Sequence, residues 1–395
     1  MGNYRPISLL SIVSKILEKI VAIQLMSFLE THKLLANSQH GFRSKLSTET
    51  ALMKVNEHIY NNMDNKKVSL LLLLDLSKAF DSVCHETLLR KCNQLYIDDF
   101  WFSDYLSGRT QSVKIGPITS SPRNVKFGVP QGSILGPILF LIYINDMSDV
   151  LNKYFVVQYA DDTQIIISGD VSEIGDLVNR AEIALSGAKN YFQVNGLNVN
   201  EEKTQAISIG SRQLISRIPS DVRIFFGQTP ITPSQSIKNL GIFMDQYMLY
   251  DHHINFIIKK TNGVLFFLNR IQDKFDKASR IMIVQSLALS ILNYCSRIWG
   301  ITTMEQLDRV QKVQNFAAKV AFGGARKYDH VTPIFKELQW IDIKSKVAYD
   351  ICVFVYKVIS SMLPDWLFTF PFVSEVQGRP TRQANCLVIK RTNTT

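Results

Sequence analysis

The chain has 395 residues, a formal net charge of +10, 46% hydrophobic residues and five cysteines. That length and apolar share suit a folded chain of more than one subdomain and exclude a disordered one. The basic excess favours a polyanionic partner, nucleic acid before a membrane surface.

The cysteines, Cys84, Cys92, Cys295, Cys352 and Cys386, form no C-x-x-C pair and are odd in number. This argues against a zinc knuckle or a disulfide framework and for an intracellular, reducing compartment, nucleus or cytoplasm. No targeting signal is read: the start lacks a signal-peptide pattern, and Pro6 stands where a myristoylation motif needs Ser or Thr. The longest apolar run, "ILGPILFLIYI" (134–144), is too short for a bilayer and is broken by Gly and Pro, so no membrane partner is expected.

In chain order, Val13, Ile16, Leu17 and Ile20 recur at helical spacing within 11–25, with Lys15, Glu18 and Lys19 on the other face. "ANSQHGFRSKLSTETAL" (36–52) reads as a loop with a helix start at Ser47, continued by Leu52, Val55 and Ile59. "VSLLLLL" (68–74) follows a polar turn and ends at Asp75. Its leucines suit a helix by propensity, but its shortness and the turn before it favour a strand buried on both faces. "SKAFDSVCHETLLRKC" then reads as a helix, leaving Asp75 at a strand's C-terminal end.

"FGVPQGSILGPILFLIYINDM" (127–147) is a Gly/Pro-rich loop opening into an apolar helix. "VVQYADDTQIIIS" (156–168) sets Asp161 and Asp162 between two β-branched apolar runs, where a plain hairpin would carry Asn-Gly or Asp-Gly. A helix over 171–197 ends at Asn195-Gly196, Lys203 lies in a turn before a short strand, and 236–245 is a strand pair around Gly241.

From about 250 the pattern is helical. One stripe is Ile254, Ile257, Ile258, Leu265 and Leu268; a second is Ile281, Val284, Leu287 and Ile291. A third is Leu307, Val310, Ala317 and Val320, with Arg309, Lys312 and Lys319 outside and Gly323-Gly324 as the stop. Thr332-Pro333 and Asp342 mark two further helix starts, and the tail after about 375 is irregular.

Asp75, Asp161 and Asp162 are candidate metal ligands. If their strands are neighbours, three carboxylates meet, and like charges so close need a cation. Hard oxygen donors suit Mg²⁺, and two such ions clamp the attacking and leaving oxygens of a phosphoryl displacement. Either acid alone reads better as a solvated turn or a helix cap; both at strand edges favour a site.

"YADD" (159–162) between strands resembles the signature hairpin of reverse transcriptases. "NYRPISLL" (3–10), "QHGFRS" (39–44), "DLSKAFDSV" (75–83), "GVPQGSILGPILFLIYINDM" (128–147), "GLNVNEEKT" (196–204) and "LGIFMD" (240–245) follow that family's order and spacing. Together they resemble the reverse transcriptase of a LINE-type, non-LTR, jockey-like retrotransposon. The resemblance implies an α+β right-hand polymerase fold with fingers and palm, an antiparallel sheet plus helices, followed by an all-α thumb and a helical C-terminal extension. It implies a reverse transcriptase domain over 1–245 (fingers about 1–66, palm about 67–245), a thumb over 246–325, and a helical extension with an irregular tail over 326–395.

It also implies residue roles. Asp75 and Asp161 would hold two Mg²⁺ ions, with Mn²⁺ as a substitute; the Leu76 carbonyl would complete one site and Asp162 would be an outer ligand. Phe80 would exclude a 2′-hydroxyl, although a core Phe is its ordinary reading. Arg43, with Lys45 nearby, would grip the triphosphate of a dNTP. Arg5 lies in a matching block without an assigned contact. Gln131 and Gly132 would let backbone approach template and incoming base. Lys203 is the candidate acid for the pyrophosphate, and a surface turn lysine is an equal reading. Leu240 and Gly241 would form the primer grip. Lys259, Lys260, Arg270, Lys312 and Lys319 would track the phosphates of an RNA–DNA hybrid of RNA template and DNA primer.

No endonuclease, RNase H block or Cys/His knuckle is read, and the family's segment before the first block is missing, so an N-terminally truncated copy is the expectation. A catalytically dead, nucleic-acid-binding relic is the alternative function. A nucleotide cyclase is a third reading, disfavoured by the Gln131-Gly132 loop, the 240–245 hairpin and the late helices.

Overall fold

The computed structural model describes residues 8–326, 328–371, 376, 387 and 388. Arg5, Cys386 and most of the expected irregular tail lie outside the described residues. The chain divides into two compact units: 1–55 with 66–208 and 213–234, and 56–65 with 209–212 and 235–395.

In the first unit, helices α1 (Ile12–Thr31) and α2 (Thr48–Asp64, which continues into the second unit) precede strands β1 (Val68–Leu74) and β2 (Leu76–Ser77). Helices α3 (His85–Gln94) and α4 (Phe100–Leu106) follow. Next come two small strand pairs, β3 (Thr110–Gln111) with β6 (Arg123–Asn124) and β4 (Lys114–Ile115) with β5 (Ile118–Thr119). Helices α5 (Gly136–Ile144) and α6 (Met147–Val150) lead to the hairpin β7 (Phe155–Tyr159) and β8 (Asp162–Gly169). Then come α7 (Ile174–Val194), β9 (Asn198–Val199), β10 (Gln205–Ile209), α8 (Arg212–Ile215) and the hairpin β11 (Ile224–Phe226) with β12 (Thr229–Ile231).

The central sheet has the order β10–β1–β8–β7, so the Leu-rich β1 is an interior strand. That explains its unbroken apolar run: a strand covered on both faces gains from apolar residues at every position. α5, buried along nearly its whole length, and the Leu177, Ala181, Ala184, Leu185 and Ala188 face of α7 complete one apolar core with the sheet. The α+β class is borne out.

α1 reverses the expected orientation. Glu18 is 1% exposed, with Ala22, Leu25 and Leu29 on its face, whereas Val13, Ile16 and Ile20 are 77%, 58% and 51% exposed. The Glu18 carboxylate accepts the Ile134 N–H at 2.7 Å and the Leu135 N–H at 3.4 Å, ahead of α5, and the Tyr105 hydroxyl at 3.0 Å. These bonds offset its desolvation and decide which face turns inward.

The expected continuous helix after Asp75 is divided. Ala79–Ser82 form a single 3₁₀ turn entered through Lys78 at φ 51°, and Val83 and Cys84 are extended before α3. The 127–129 loop takes the carbonyls a helix would use: Gly128 N–H donates to Val83 O (2.7 Å) and Val129 N–H to Phe80 O (2.9 Å).

The second unit opens, after its share of α2, with the hairpin β13 (Ser236–Asn239) and β14 (Ile242–Asp245). Helices follow: α9 (Asp251–Ile271), α10 (Lys277–Val284), α11 (Ser290–Asn293), α12 (Ser296–Trp299), α13 (Met304–Phe322), α14 (Thr332–Leu338) and α15 (Ile343–Ile359). The first and third stripes are buried on α9 and α13 as expected, except that Ile258 is only half-buried. Lys312 is exposed, while Arg309 and Lys319 are half-buried. The second stripe fails at Leu287, which is exposed; Ala288, Leu289 and Leu292 are buried instead. A π-helical turn at Gln285–Leu289 inserts a residue and rotates the inward face. Among the described residues, no helix is long and apolar enough to cross a membrane.

Replacing Glu18 with Ala leaves two backbone N–H groups and the Tyr105 hydroxyl without their acceptor. The expected loss, read by urea unfolding, is about 3 kcal/mol; a solvated glutamate would change it by less than about 0.5 kcal/mol.

Candidate active site

β1 and β8 pair antiparallel over seven rungs, from Val68↔Gly169 to Leu74↔Thr163. The next residues along the two strands are Asp75 and Asp162. β7 and β8 close at Tyr159↔Asp162, leaving Ala160 and Asp161 as a two-residue turn. Ala160 has φ +55°, the left-handed geometry such a turn demands and for which Gly or Asn is the usual residue. The register therefore brings Asp75, Asp161 and Asp162 to one end of the sheet.

Asp75 is half-buried, and its Oδ2 lies 3.6 Å from Lys203 Nζ. The lysine side chain is 70% exposed, so solvent screens this pair. Lys203 ends a 3₁₀ turn, Glu201–Lys203, capped by the Asn200 side chain. Glu201 anchors that turn by accepting from Lys189 Nζ (2.5 Å) and the Thr229 hydroxyl (3.1 Å), and the Lys189 bond holds its carboxyl below the usual range. Asn200 N–H donates to Asp75 O at 2.9 Å beside the Leu76↔Val199 pair. This is the pattern of a non-hydrogen-bonded pair, in which the Leu76 carbonyl turns away from β9.

In chemistry, this donor set of carboxylate oxygens and a backbone carbonyl fits a hard divalent cation. It is not closed into a ready-made cage: among the described residues, no three His, Cys, Asp or Glu side chains form a group that could hold a metal ion.

Phe80 stacks on Phe140 (centroids 4.5 Å apart) and meets Phe42 edge-on (6.3 Å). Its 3₁₀ turn is fixed by the 128–131 loop, where Gln131 Nε2 donates to Asp81 Oδ1 at 2.8 Å. Gly128 has φ +87°, and a Cβ there would stand 2.9 Å from Asp81 backbone atoms, so only glycine allows the two segments to touch. Gly132 has φ +100°.

Arg43 departs from the expected phosphate grip. It is buried, and neighbouring groups take up its guanidinium N–H donors. Nε and Nη2 grip Glu30 at 2.8 and 2.7 Å, and Nη1 donates to Ala36 O (2.8 Å) and Gln39 O (3.2 Å). Lys45, in the same loop, is exposed.

Sequence reasoning missed a buried polar cluster behind the site. Lys91, 4% exposed, donates to the Tyr143 carbonyl O (2.6 Å), Asp146 Oδ1 (2.7 Å) and the Tyr191 hydroxyl (3.1 Å). Burial lowers the Lys91 pKa against the opposing pull of Asp146, and burial raises that of Tyr191. The Tyr143 hydroxyl accepts from Cys84 N–H (3.2 Å) and donates to Asn195 O, tying the segment after Phe80 to the one before β9. A lysine on an amphipathic helix gives no signal of burial.

In the second unit, Leu240 (φ +43°) and Gly241 (φ +87°) form the turn between β13 and β14. The Tyr294 hydroxyl donates to Leu240 O at 2.8 Å, and a Cβ on Gly241 would stand 3.1 Å from the Tyr294 ring.

Residues 1–244 match the family described as "Reverse transcriptase (RNA-dependent DNA polymerase)", and the chain belongs to that family. Its relatives include RNA-directed DNA polymerases of non-LTR retrotransposons, and the jockey-like resemblance read from the motifs is borne out. The chain is 26% identical over 331 residues to "Probable RNA-directed DNA polymerase from transposon X-element" of Drosophila melanogaster, covering 82% of this chain and 36% of the relative. It is 26% identical over 330 residues to "RNA-directed DNA polymerase from mobile element jockey" of the same species, covering 80% and 35%. The chain thus spans about a third of the length of these curated relatives. Apo telomerase from Candida tropicalis superposes with a TM-score of 0.44 at 12% identity, over 82% of this chain and 50% of that one.

His40, 1% exposed with Nδ1 3.0 Å from the Thr50 hydroxyl, has a pKa lowered from 6.5 to about 3 by burial and then by Arg43 and Lys54. The folded state binds the proton less well than the unfolded chain, so stability is full above pH 6.5 and falls as pH drops toward 3. Between pH 7 and pH 5 this group removes roughly 2 kcal/mol. Chemical denaturation across that range gives a steeper loss for the native chain than for His40→Gln.

Proposed function

We propose that the chain is an RNA-directed DNA polymerase that adds deoxynucleotides to a primer 3′-hydroxyl. The observation that carries this reading is the β1–β8 register, which brings Asp75 to the sheet end that carries Asp161 in the hairpin turn and Asp162 at the start of β8, in a chain of the reverse transcriptase family. We read 1–245 as the polymerase domain, with fingers about 1–66 and palm about 67–245, then a thumb over 246–325 and an extension over 326–395.

Asp75, Asp161 and the Leu76 carbonyl would hold two Mg²⁺ ions, or Mn²⁺ in their place, with Asp162 as an outer ligand. When bound, such ions stabilise charge on the attacking and leaving oxygens. Phe80, backed by Phe140, presents a ring that cannot move aside for a 2′-hydroxyl, which selects a dNTP. The backbone at Gln131 and Gly132 faces the incoming base and template. Lys203, beside Asp75, donates a proton to the departing pyrophosphate. The triphosphate grip falls to the exposed Lys45, while Arg43 shapes the loop that carries it. Leu240 and Gly241 hold the primer end. Exposed Lys259, Lys260 and Arg270 on α9 and Lys312 on α13 contact phosphates of the RNA–DNA hybrid, giving affinity that falls with salt.

The test is primer extension by purified protein with poly(rA)/oligo(dT), Mg²⁺ and dTTP. The native chain extends the primer, and Asp161→Asn lowers the rate by at least about a thousandfold while hybrid binding persists. A folded native chain that binds hybrid but extends nothing is a nucleic-acid-binding relic. In the same assay Phe80→Ala raises the ratio of ribonucleotide to deoxynucleotide incorporation by about tenfold or more; an unchanged ratio removes Phe80 from sugar selection.

A further inference from the structure

The hairpin turn that carries Asp161 is held from outside by a side chain. Gln158 in β7 donates its N–H to Ser38 O (2.7 Å), and His40 N–H donates to Gln158 O (2.8 Å). Residues 38–40 thus run beside β7 in a parallel bridge centred on Gln39↔Gln158. Two residues further along, where the backbone of β7 turns away, the side chain of Gln39 continues the pairing. Its Oε1 accepts Ala160 N–H (3.0 Å) and Gly41 N–H (2.7 Å), and its Nε2 donates to Ala160 O (3.2 Å). Gln39 is 3% exposed.

We infer that Gln39 is a positioning residue for Asp161, its buried amide clamping both peptide groups of Ala160 so that the turn presents the carboxylate in one conformation. This rests on the polymerase reading for its catalytic meaning. Three observations converge on it. Ala160 adopts a left-handed conformation that an L-residue with a Cβ does not favour, so something beyond local preference holds it there. Gly41 abuts the same residue: a Cβ on it would stand 2.3 Å from Ala160 N, so segment and turn are in direct contact. The segment is itself braced, by Arg43 Nη1 on Gln39 O and by His40 against Thr50.

The grip needs an acceptor and a donor on one side chain. A glutamine amide has both, a glutamate carboxylate only accepts, and a leucine does neither. A buried Gln serving stability alone would lower the unfolding midpoint and leave the rate per folded molecule unchanged.

The test compares native protein with Gln39→Leu and Gln39→Glu at a temperature where each is folded by near-UV circular dichroism. Amide hydrogen exchange is followed on the nucleic-acid-free protein. In Gln39→Leu, exchange across 156–164 is at least about tenfold faster, while 68–74 keeps its protection. In primer extension both variants lose about a hundredfold in kcat, the scale of a misplacement of about 1 Å, with dNTP KM and hybrid Kd within about twofold of native. Unchanged exchange at 156–164, or a rate per folded molecule equal to native, overturns the inference and leaves the polymerase reading standing. A native chain that extends nothing while Gln39→Leu still loosens 156–164 supports the clamp and overturns the polymerase reading.

Discussion

The antiparallel ladder between β1 and β8 is the constraint on which the site depends. Its side-chain period is two, so a slip of one residue would turn Ile165 and Ile167 to the opposite face, out of the main core, and move Asp162 away from Asp75. Burial of β1 on both faces makes the register costly to change: Leu70, Leu72 and Leu74 belong to the main apolar core, and Leu71 on the other face is fully buried. The acids gain their fixed position from apolar residues that take no part in chemistry.

Around that ladder, buried polar groups do the fine placement. Glu18 holds the entry to α5, the Lys91–Tyr143–Asp146 cluster ties the segments flanking Phe80 and β9, and Arg43 with Glu30 shapes the loop that reaches the hairpin turn. Each charge is matched by several donors or acceptors, the condition under which a buried polar group specifies a structure. The result is a site whose carboxylates rest on further polar contacts facing inward.

The strands and the YADD hairpin were legible because their signals are local: β-branched flanks, a polar turn, an acid at each boundary. The Asn195-Gly196 stop, the Asp342 cap and the Gly241 turn were legible for the same reason. What was not legible depends on partners distant in sequence. The helical spacing of α1 is legible, but its buried face is not: the carboxylate of Glu18 turns inward because its donors lie at 134–135 and Tyr105. The helix after Asp75 breaks because residues 127–129 claim its carbonyls, and the loop around Arg43 gives no sign that its partner is Glu30, on α1. The π turn after α10 shifted a stripe that single-helix periodicity placed on Leu287.

The strand order also bears on how the chain is made. β1 lies between β10 and β8, both later in sequence, so Val68–Leu74 leaves the ribosome ahead of α3, α4, α5 and β7 before either of its neighbours exists. Until Gly169 has been added, the most apolar strand of the protein has both edges unpaired, which is the condition for sticking to other chains. A chain that ends between Asp75 and Thr163 therefore carries that strand with no partner for either edge.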